Sequence, residues 1–483
     1  MSTEKHVYIN GTWESGDGKE RVLTNPHNEQ VIQTIQEASK EQTEKAVHAA
    51  REAFTRTDWS TNKKKRTEFL RKAADGIEAA ADEIAEIESR NTGKPIRESV
   101  IDVEDTVTCL RYYAGLIEQE TPKDISMDDG TSSWILREPI GVCALIVPWN
   151  FPLLLGMWKI APALAAGNTV VFKPSEVTPL SILKVVEIFD RIDLPEGVFN
   201  VVLGDGDPVG DSLVTHPLTD KVSFTGGSET GRKINETCAR SLKRVSLELG
   251  GKSPLLVFDD AEINNAVEWI LFGGYFNQGE VCVASSRILV QESIYPEVLQ
   301  RLKERIEEIN VGDPMDDSTE MGPIINRSHF EKVTGYLKKG VEEGATLYGG
   351  EILQDKGYYM RPAVFADVTQ EMSIVQEEIF GPVITIQPFK DEEEAVYLAN
   401  DTIYGLAAGV LSADIERAER VGSKLQAGTV WVNNYHIPYI EASWGGYKQS
   451  GIGRELGPQG LYAFTETKHL NINRTLASPG WYA

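Results

Sequence analysis

The sequence predicts an α/β protein built on parallel sheets covered on both faces. Short apolar runs at Val142 to Val147, Thr169 to Phe172, Phe199 to Leu203, Lys221 to Phe224 and Arg244 to Leu247 alternate with helical stretches. Those stretches lie near Leu153 to Ala166, Leu180 to Ile192, Val209 to Val214 and Thr230 to Ala239. Continuously apolar strands are what a sheet buried on both sides requires, and the intervening helices supply the cover. After Ser253 a second series begins, with Pro254 to Phe258, a helix from Ile263 to Phe276 and Ser286 to Val290, and runs through Gln426 to Val432. At 483 residues the chain is too long for one hydrophobic core, so the two series read as separate α/β domains.

The other elements follow in order. HVYINGTWE, from His6 to Glu14, alternates apolar and polar residues around Asn10-Gly11 and reads as a hairpin. Ala46, Val47, Ala50, Ala53 and Phe54 fall at helical spacing, and a second helix carries Phe69, Leu70, Ala73, Ile77, Ile84 and Ile87. Gly93 and Pro95 stop it. Asp102 to Ile117 reads as another helix, and the polar stretch Thr121 to Ser132 as a surface excursion. Gly204-x-Gly206-x-x-x-Gly210 stands between a strand and a helix like a dinucleotide fingerprint, but its spacing is one residue too long. No acidic residue clearly follows to hold a ribose, so a glycine-rich turn accounts for it. In the tail, His469 to Ala483, the alternation from His469 to Asn473 suggests an edge strand that could add to another chain.

Composition excludes several roles. The formal net charge of -25 argues against nucleic acid as a partner, because phosphates need clustered Lys and Arg. No run approaches the roughly 18 apolar residues of a membrane span, and the start lacks a signal peptide's apolar region, so a soluble cytoplasmic protein is expected. The four cysteines form no CxxC pair and suit a reducing compartment, while the scattered histidines offer no metal spacing.

FNQGEVCVASSR, Phe276 to Arg287, puts the thiol of Cys282 in a loop of small and polar neighbours. Cysteines are more often inert core residues, and Cys109, Cys143 and Cys238 sit in helix or strand patterns that suit that role. A thiolate attacking a carbonyl makes an oxyanion that needs donors. Asn150, following a strand in IVPWNFPLL, is a candidate, with helix N-capping as its alternative. Release of an acyl group needs a base with a raised pKa. Glu248, between Leu247 and Leu249 and just before Gly250-Gly251, fits, with a salt-bridged strand end as its alternative.

Seven segments in order make the chain resemble the aldehyde dehydrogenase superfamily over nearly its whole length. They are PWN (Pro148 to Asn150), KPSE (Lys173 to Glu176), FTGGSETG (Phe224 to Gly231), LELGGKSP (Leu247 to Pro254), the cysteine loop, EEIFGPV (Glu377 to Val383) and WGGYKQSGIGRELG (Trp444 to Gly457). The resemblance implies two Rossmann-like α/β domains plus a small β oligomerisation element. Residues 1–118 and 140–250 would bind NAD, 251–450 would be catalytic, and 119–139 and 451–483 would bridge subunits of a dimer or tetramer. It implies Cys282 as nucleophile, Asn150 with the Cys282 N–H as oxyanion hole, Glu248 as base, and Lys159 and Glu455 on a proton path.

For the cofactor it implies Lys173 and Glu176 at the adenosine ribose, where a carboxylate repels a 2'-phosphate and favours NAD while leaving NADP open. Gly226 and Gly227 would form the pyrophosphate turn, Trp149 would line the cleft, and Glu378 and Phe380 would hold the nicotinamide ribose. Val147, Pro148, Ser175, Gly206 and Leu249 complete the candidate contacts. Two residues depart from the usual pattern: Gly227 replaces a common serine, and Glu280 replaces a common glutamine. The charge of Glu280, two residues from the thiol, is expected to raise the thiol pKa unless a cation offsets it.

Phe151, Trp158, Phe276 and Trp444 match positions where betaine aldehyde dehydrogenases and some aminoaldehyde dehydrogenases place rings around a cationic group. Ring faces attract a cation by roughly 0.5 to 2 kcal/mol each. An apolar tunnel for aliphatic or aromatic aldehydes is the alternative, and a catalytically silent NAD-binding member is a third possibility.

Overall fold

The computed structural model describes residues 5–129, 131–353, 356–476 and 478–482. The expectations for Met1 to Glu4, Gly130, Ala477 and Ala483 fall outside the described residues.

Two large sheets carry the fold. The first has eight strands in the order Gly451–Ile452, Arg244–Glu248, Lys221–Thr225, Val142–Ile146, Thr169–Lys173, Phe199–Val201, Val7–Ile9, Thr12–Glu14. Its central five strands are parallel, and the strands added at both ends are antiparallel. Val142–Ile146 and Thr169–Lys173 are buried at every position, as their unbroken apolar runs require. From Val142–Ile146 the chain first moves outward through Thr169–Lys173 and Phe199–Val201, then returns to build Lys221–Thr225 on the opposite side. That reversal opens a crevice beyond the carboxyl ends of two neighbouring strands. Pro148 to Asn150 leave one of those ends and Gly226-Gly227 leave the other.

The second sheet has seven strands in the order Thr346–Gly349, Ala363–Ala366, Val383–Phe389, Arg287–Gln291, Pro254–Val257, Ala407–Leu411, Thr429–Val432, parallel except for the first. Helix Pro152–Ala166 is buried on every face. A helix apolar all round belongs inside a large core, and Lys159 is the charged residue it carries there.

The hairpin forms as expected, Ile9 facing Thr12 across left-handed Asn10 and Gly11. Four expectations change. The second predicted helix is two, Lys63–Ala79 and Ala81–Thr92, because Ala80 leaves helical geometry, and Asp82 and Glu83 then favour a new N-terminus. The helix expected from Asp102 starts at Ile96, directly after Pro95. The polar excursion contains a strand, Lys123–Ser126, which pairs with Ser132–Pro139; its exposed face hid it from an apolar pattern. The last strand is Thr465–Ile472, and it pairs with Ser132–Pro139 of its own chain.

Among the described residues no helix is long and apolar enough to cross a membrane.

Candidate active site

The loop carrying Cys282 joins helix Ile263–Tyr275 to strand Arg287–Gln291. It begins with three successive left-handed residues, Asn277, Gln278 and Gly279, with φ of +48°, +56° and +67°. For the two non-glycines this conformation costs of order 1–3 kcal/mol each, so it persists only where surroundings enforce it. The surroundings are hydrogen bonds. Asn277 donates its side-chain amide to the Asn150 carbonyl at 3.2 Å, and the Asn150 side-chain amide donates to the Glu280 carbonyl at 2.9 Å. Helix Pro152–Ala166 is capped at Phe151 without a side-chain bond, so Asn150 is not its N-cap. One N–H of the Asn150 amide is thus fixed, which orients the other.

Close packing explains why Gly250 and Gly251, just past the strand end and Leu249, carry no side chains. A Cβ on Gly250 would stand 2.3 Å from Glu378 Oε2, and one on Gly251 would stand 2.3 Å from the Cys282 carbonyl. Both backbones must approach closely for the thiol, Glu378 and the strand end to meet.

A cavity of about 230 Å³ brings together Pro148, Trp149, Asn150, Gly226, Gly227, Leu249, Cys282, Glu378 and Phe380. Glu248 is buried behind it, adjacent in sequence to the lining residue Leu249. Val147, Lys173, Ser175, Glu176 and Gly206 lie outside this lining. Lys173 Nζ is 3.5 Å from Glu176 Oε2, and the Lys173 side chain passes 3.8 Å from the Cβ position of Gly210, which locates this pair beside the Gly204 to Gly210 turn.

Neither carboxylate oxygen of Glu248 has a hydrogen-bond partner among the described residues. Burial, then the charge of Glu455, holds its pKa well above the usual carboxylate range, against the pull of Lys159 and Arg454. The salt-bridged alternative does not form. Lys159 Nζ instead bonds Glu455 Oε1 and, at 3.2 Å, Ser223 Oγ.

The Cys282 thiol is pushed up to about 12, by burial first and then by Glu378 and Glu248. The expected effect of Glu280 is not what raises it. The Glu280 carboxylate turns to the Ile325 N–H at 3.0 Å, and burial holds its own pKa high. Below its pKa a thiol gains thiolate about tenfold per pH unit. Alkylation of Cys282 by iodoacetamide in cofactor-free protein should therefore keep rising up to the alkaline limit of stability, and a plateau near neutral pH would contradict the environment described.

The aromatic residues form two pairs. Phe151 stacks on Phe276 with centroids 6.3 Å apart, and Trp158 meets Trp444 edge-on at 5.4 Å. Lys94 Nζ already lies 3.9 Å from the centroid of Phe151.

Sequence reasoning missed His329 and Lys332, which also line the cavity. They are three residues apart on one face of helix Arg327–Glu342. That spacing was readable; its orientation toward Cys282 was not. His329 packs on Trp149 and Phe380, with centroids 5.1 and 6.0 Å away, and donates from Nε2 to the Phe380 carbonyl at 2.5 Å. Burial lowers its pKa to about 4, so the ring is neutral.

Comparison with known proteins gives a consistent result. The profile of the aldehyde dehydrogenase family matches residues 13–470. Betaine aldehyde dehydrogenase of Bacillus subtilis (strain 168) is 45% identical over 484 residues, covering 99% of each chain. Peroxisomal aminoaldehyde dehydrogenase 1 of Pisum sativum is 43% identical, over 99% of this chain and 98% of its own. The crystal structure of Staphylococcus aureus betaine aldehyde dehydrogenase in complex with NAD+ matches with a TM-score of 0.97 at 43% identity, over 99% of this chain and 97% of that one. The chain therefore belongs to the aldehyde dehydrogenase family.

Proposed function

We propose that the protein oxidises an aldehyde to its carboxylic acid through a covalent intermediate on Cys282, with NAD as cofactor and betaine aldehyde or a related aminoaldehyde as substrate. The observation that carries this reading is Glu248, a buried carboxylate without a hydrogen-bond partner among the described residues, close enough to raise the pKa of a thiol that shares its cleft with an oriented amide.

The residues fit a dinucleotide. Gly227 caps helix Ser228–Ala239 with open space at its Cβ position, and the buried Thr225 hydroxyl near it has no hydrogen-bond partner among the described residues. A phosphate would be received there by the helix N-terminus. Lys173 and Glu176 would hold the adenosine ribose. Glu37 and Asp205 nearby are paired with Arg21 and Lys19, so NAD is favoured over NADP by the Glu176 carboxylate, which would accept from the ribose hydroxyls and repel a 2'-phosphate. Glu378 and Phe380 would hold the nicotinamide ribose.

Cys282 Sγ, once deprotonated, bonds to the aldehyde carbon. The oxyanion accepts from the free N–H of the Asn150 amide and from the Cys282 N–H. Bound NAD supplies the acceptor for the hydride that leaves this carbon. Glu248 then takes a proton from the water that attacks the resulting thioester, which releases the acid and restores the thiolate. Glu455, held through one oxygen by Lys159, receives the proton on the other.

For the substrate, Trp158, Trp444 and Phe276 would present π surfaces to a cation, beside a Phe151 ring that is stacked on Phe276 and faced by Lys94. Lys94 occupies part of that capacity at Phe151, which favours a second reading, a broader aliphatic or aromatic aldehyde dehydrogenase. Comparing kcat/KM over betaine aldehyde, aminoaldehydes and aliphatic aldehydes, with NAD and NADP, decides between them. Trp444→Phe is expected to lower the preference for betaine aldehyde over propanal by about 2- to 30-fold; an unchanged ratio discards the cage.

The same reading assigns 1–118 and 140–250 to cofactor binding, 251–450 to catalysis, and 119–139 with 451–483 to subunit contacts. Gly451–Ile452 is the part of the last segment that returns to the first sheet. The exposed strands Thr465–Ile472 and Lys123–Ser126, at the two edges of their sheet, support a homo-oligomer, a dimer or tetramer. Four free cysteines support a reducing compartment, which we take to be the cytoplasm.

A further inference from the structure

We propose that Glu98 is a positioning residue for the oxyanion site: its buried carboxylate holds Asn277, and Asn277 holds Asn150 and the Cys282 loop in register. The inference rests on the covalent reading above and extends it to a residue outside the cleft.

Glu98 lies in the first turn of helix Ile96–Gln119 and is almost wholly buried. Its Oε2 accepts the backbone N–H of Asn277 at 3.0 Å. Asn277 is the first of the three left-handed residues that open the nucleophile loop. A left-handed turn directs N–H groups away from the carbonyls that a helix would offer, so a buried N–H there needs an acceptor from elsewhere. Glu98 supplies it. The Asn277 side chain then donates to the Asn150 carbonyl at 3.2 Å and reaches the Glu280 carbonyl at 3.4 Å. The Glu280 carbonyl is also the acceptor for the Asn150 side-chain amide. The chain of contacts therefore runs from Glu98 through Asn277 to Asn150, whose amide is one half of the oxyanion hole, and to the Glu280–Val281 peptide, one peptide before the Cys282 N–H that is the other half.

The helix end that carries Glu98 is itself anchored. The Ile96 N–H donates to the Pro314 carbonyl at 2.8 Å. Lys94 bonds Asp102 at 2.5 Å and lies over the Phe151 ring. One buried cluster thus touches both Phe151, next to Asn150 in sequence, and Asn277, hydrogen-bonded to Asn150, which neither the cleft lining nor the loop sequence reveals.

The test compares Glu98→Ala and Glu98→Gln with the unaltered protein in two reactions. The first is the pre-steady-state NADH burst, which forms an oxyanion. The second is alkylation of Cys282 by iodoacetamide, which forms none. Glu98→Ala should slow the burst about 10- to 100-fold, the effect of misplacing an oxyanion donor, while alkylation changes about threefold or less. Glu98→Gln keeps an acceptor oxygen at the same reach and should restore most of the burst rate. An unchanged burst in Glu98→Ala, or equal slowing of burst and alkylation, overturns the proposal. If the alanine variant does not fold, the glutamine variant decides: a burst slowed as far as the range above, in folded protein with normal alkylation, rejects the acceptor role. The unaltered protein is also run in a single turnover, where NADH forms whether or not deacylation is slow; no NADH there, or turnover retained by Cys282→Ala, removes the covalent reading and this inference with it.

Discussion

Cys282→Ala is expected to reduce NADH formation by about 10⁴-fold or more while leaving NAD binding intact. In the covalent scheme proposed above, the hydride leaves only after a nucleophile has converted the aldehyde carbonyl to a tetrahedral alkoxide, and the Cys282 sulfur is that nucleophile. No other cysteine replaces it. Cys109, Cys143 and Cys238 are buried away from the cleft, and burial pushes the Cys143 thiol up to about 12 and holds that of Cys109 well above the ordinary thiol range. Nor does the substitution endanger the fold. Removing one half-buried sulfur costs on the order of 1 kcal/mol, against a folding free energy of about 5–15 kcal/mol. Calorimetric titration with NAD should therefore give the same affinity for both proteins. Turnover retained by the alanine variant would rule out the covalent scheme, and lost NAD binding would mean the loop does more than carry the sulfur.

The parallel strands and the loop that carries Cys282 were legible in the sequence because each depends on local pattern, whereas the order of the strands, which places the crevice, is set by tertiary packing and was not. Val142–Ile146 and Thr169–Lys173 are continuous apolar runs, and a strand buried on both faces has few other ways to be written. Lys123–Ser126 was not legible, since an exposed edge strand leaves no apolar periodicity. Glu280 shows a different limit. Its distance along the chain from Cys282 is two residues, yet its carboxylate faces the Ile325 N–H, and the charges that act on the thiol come from Glu378 and Glu248. Sequence proximity sets which residues are neighbours; side-chain direction sets which charges interact. The same holds for Phe151, whose place in an aromatic motif gave no sign that Lys94 covers it. His329 and Lys332 were missed because a helix elsewhere in the chain turns them into the cleft.

Glu248→Gln is expected to separate the two halves of the reaction. Glutamine matches the shape of glutamate but cannot take a proton from water. Acylation should proceed, giving a burst of about one NADH per active site, and the following steady state should be slowed about 10²- to 10⁴-fold as the thioester waits for hydrolysis. The pH dependence has a definite sign. The base works only when ionised, and burial with Glu455 raises its pKa, so deacylation in the unaltered protein climbs with pH above the usual carboxylate range. The glutamine variant should lose that climb. Stability changes the other way. A carboxyl whose folded pKa exceeds its unfolded value holds its proton more tightly when folded, so its stabilising contribution is present below the unfolded pKa and is lost as pH rises through the folded one. Above that range the unaltered protein bears a buried, unpaired charge that the variant lacks. The variant should therefore melt no lower than the unaltered protein at alkaline pH, which separates a lost base from a lost fold. Equal slowing of burst and steady state, in a variant that melts normally, would mean that another group activates the water.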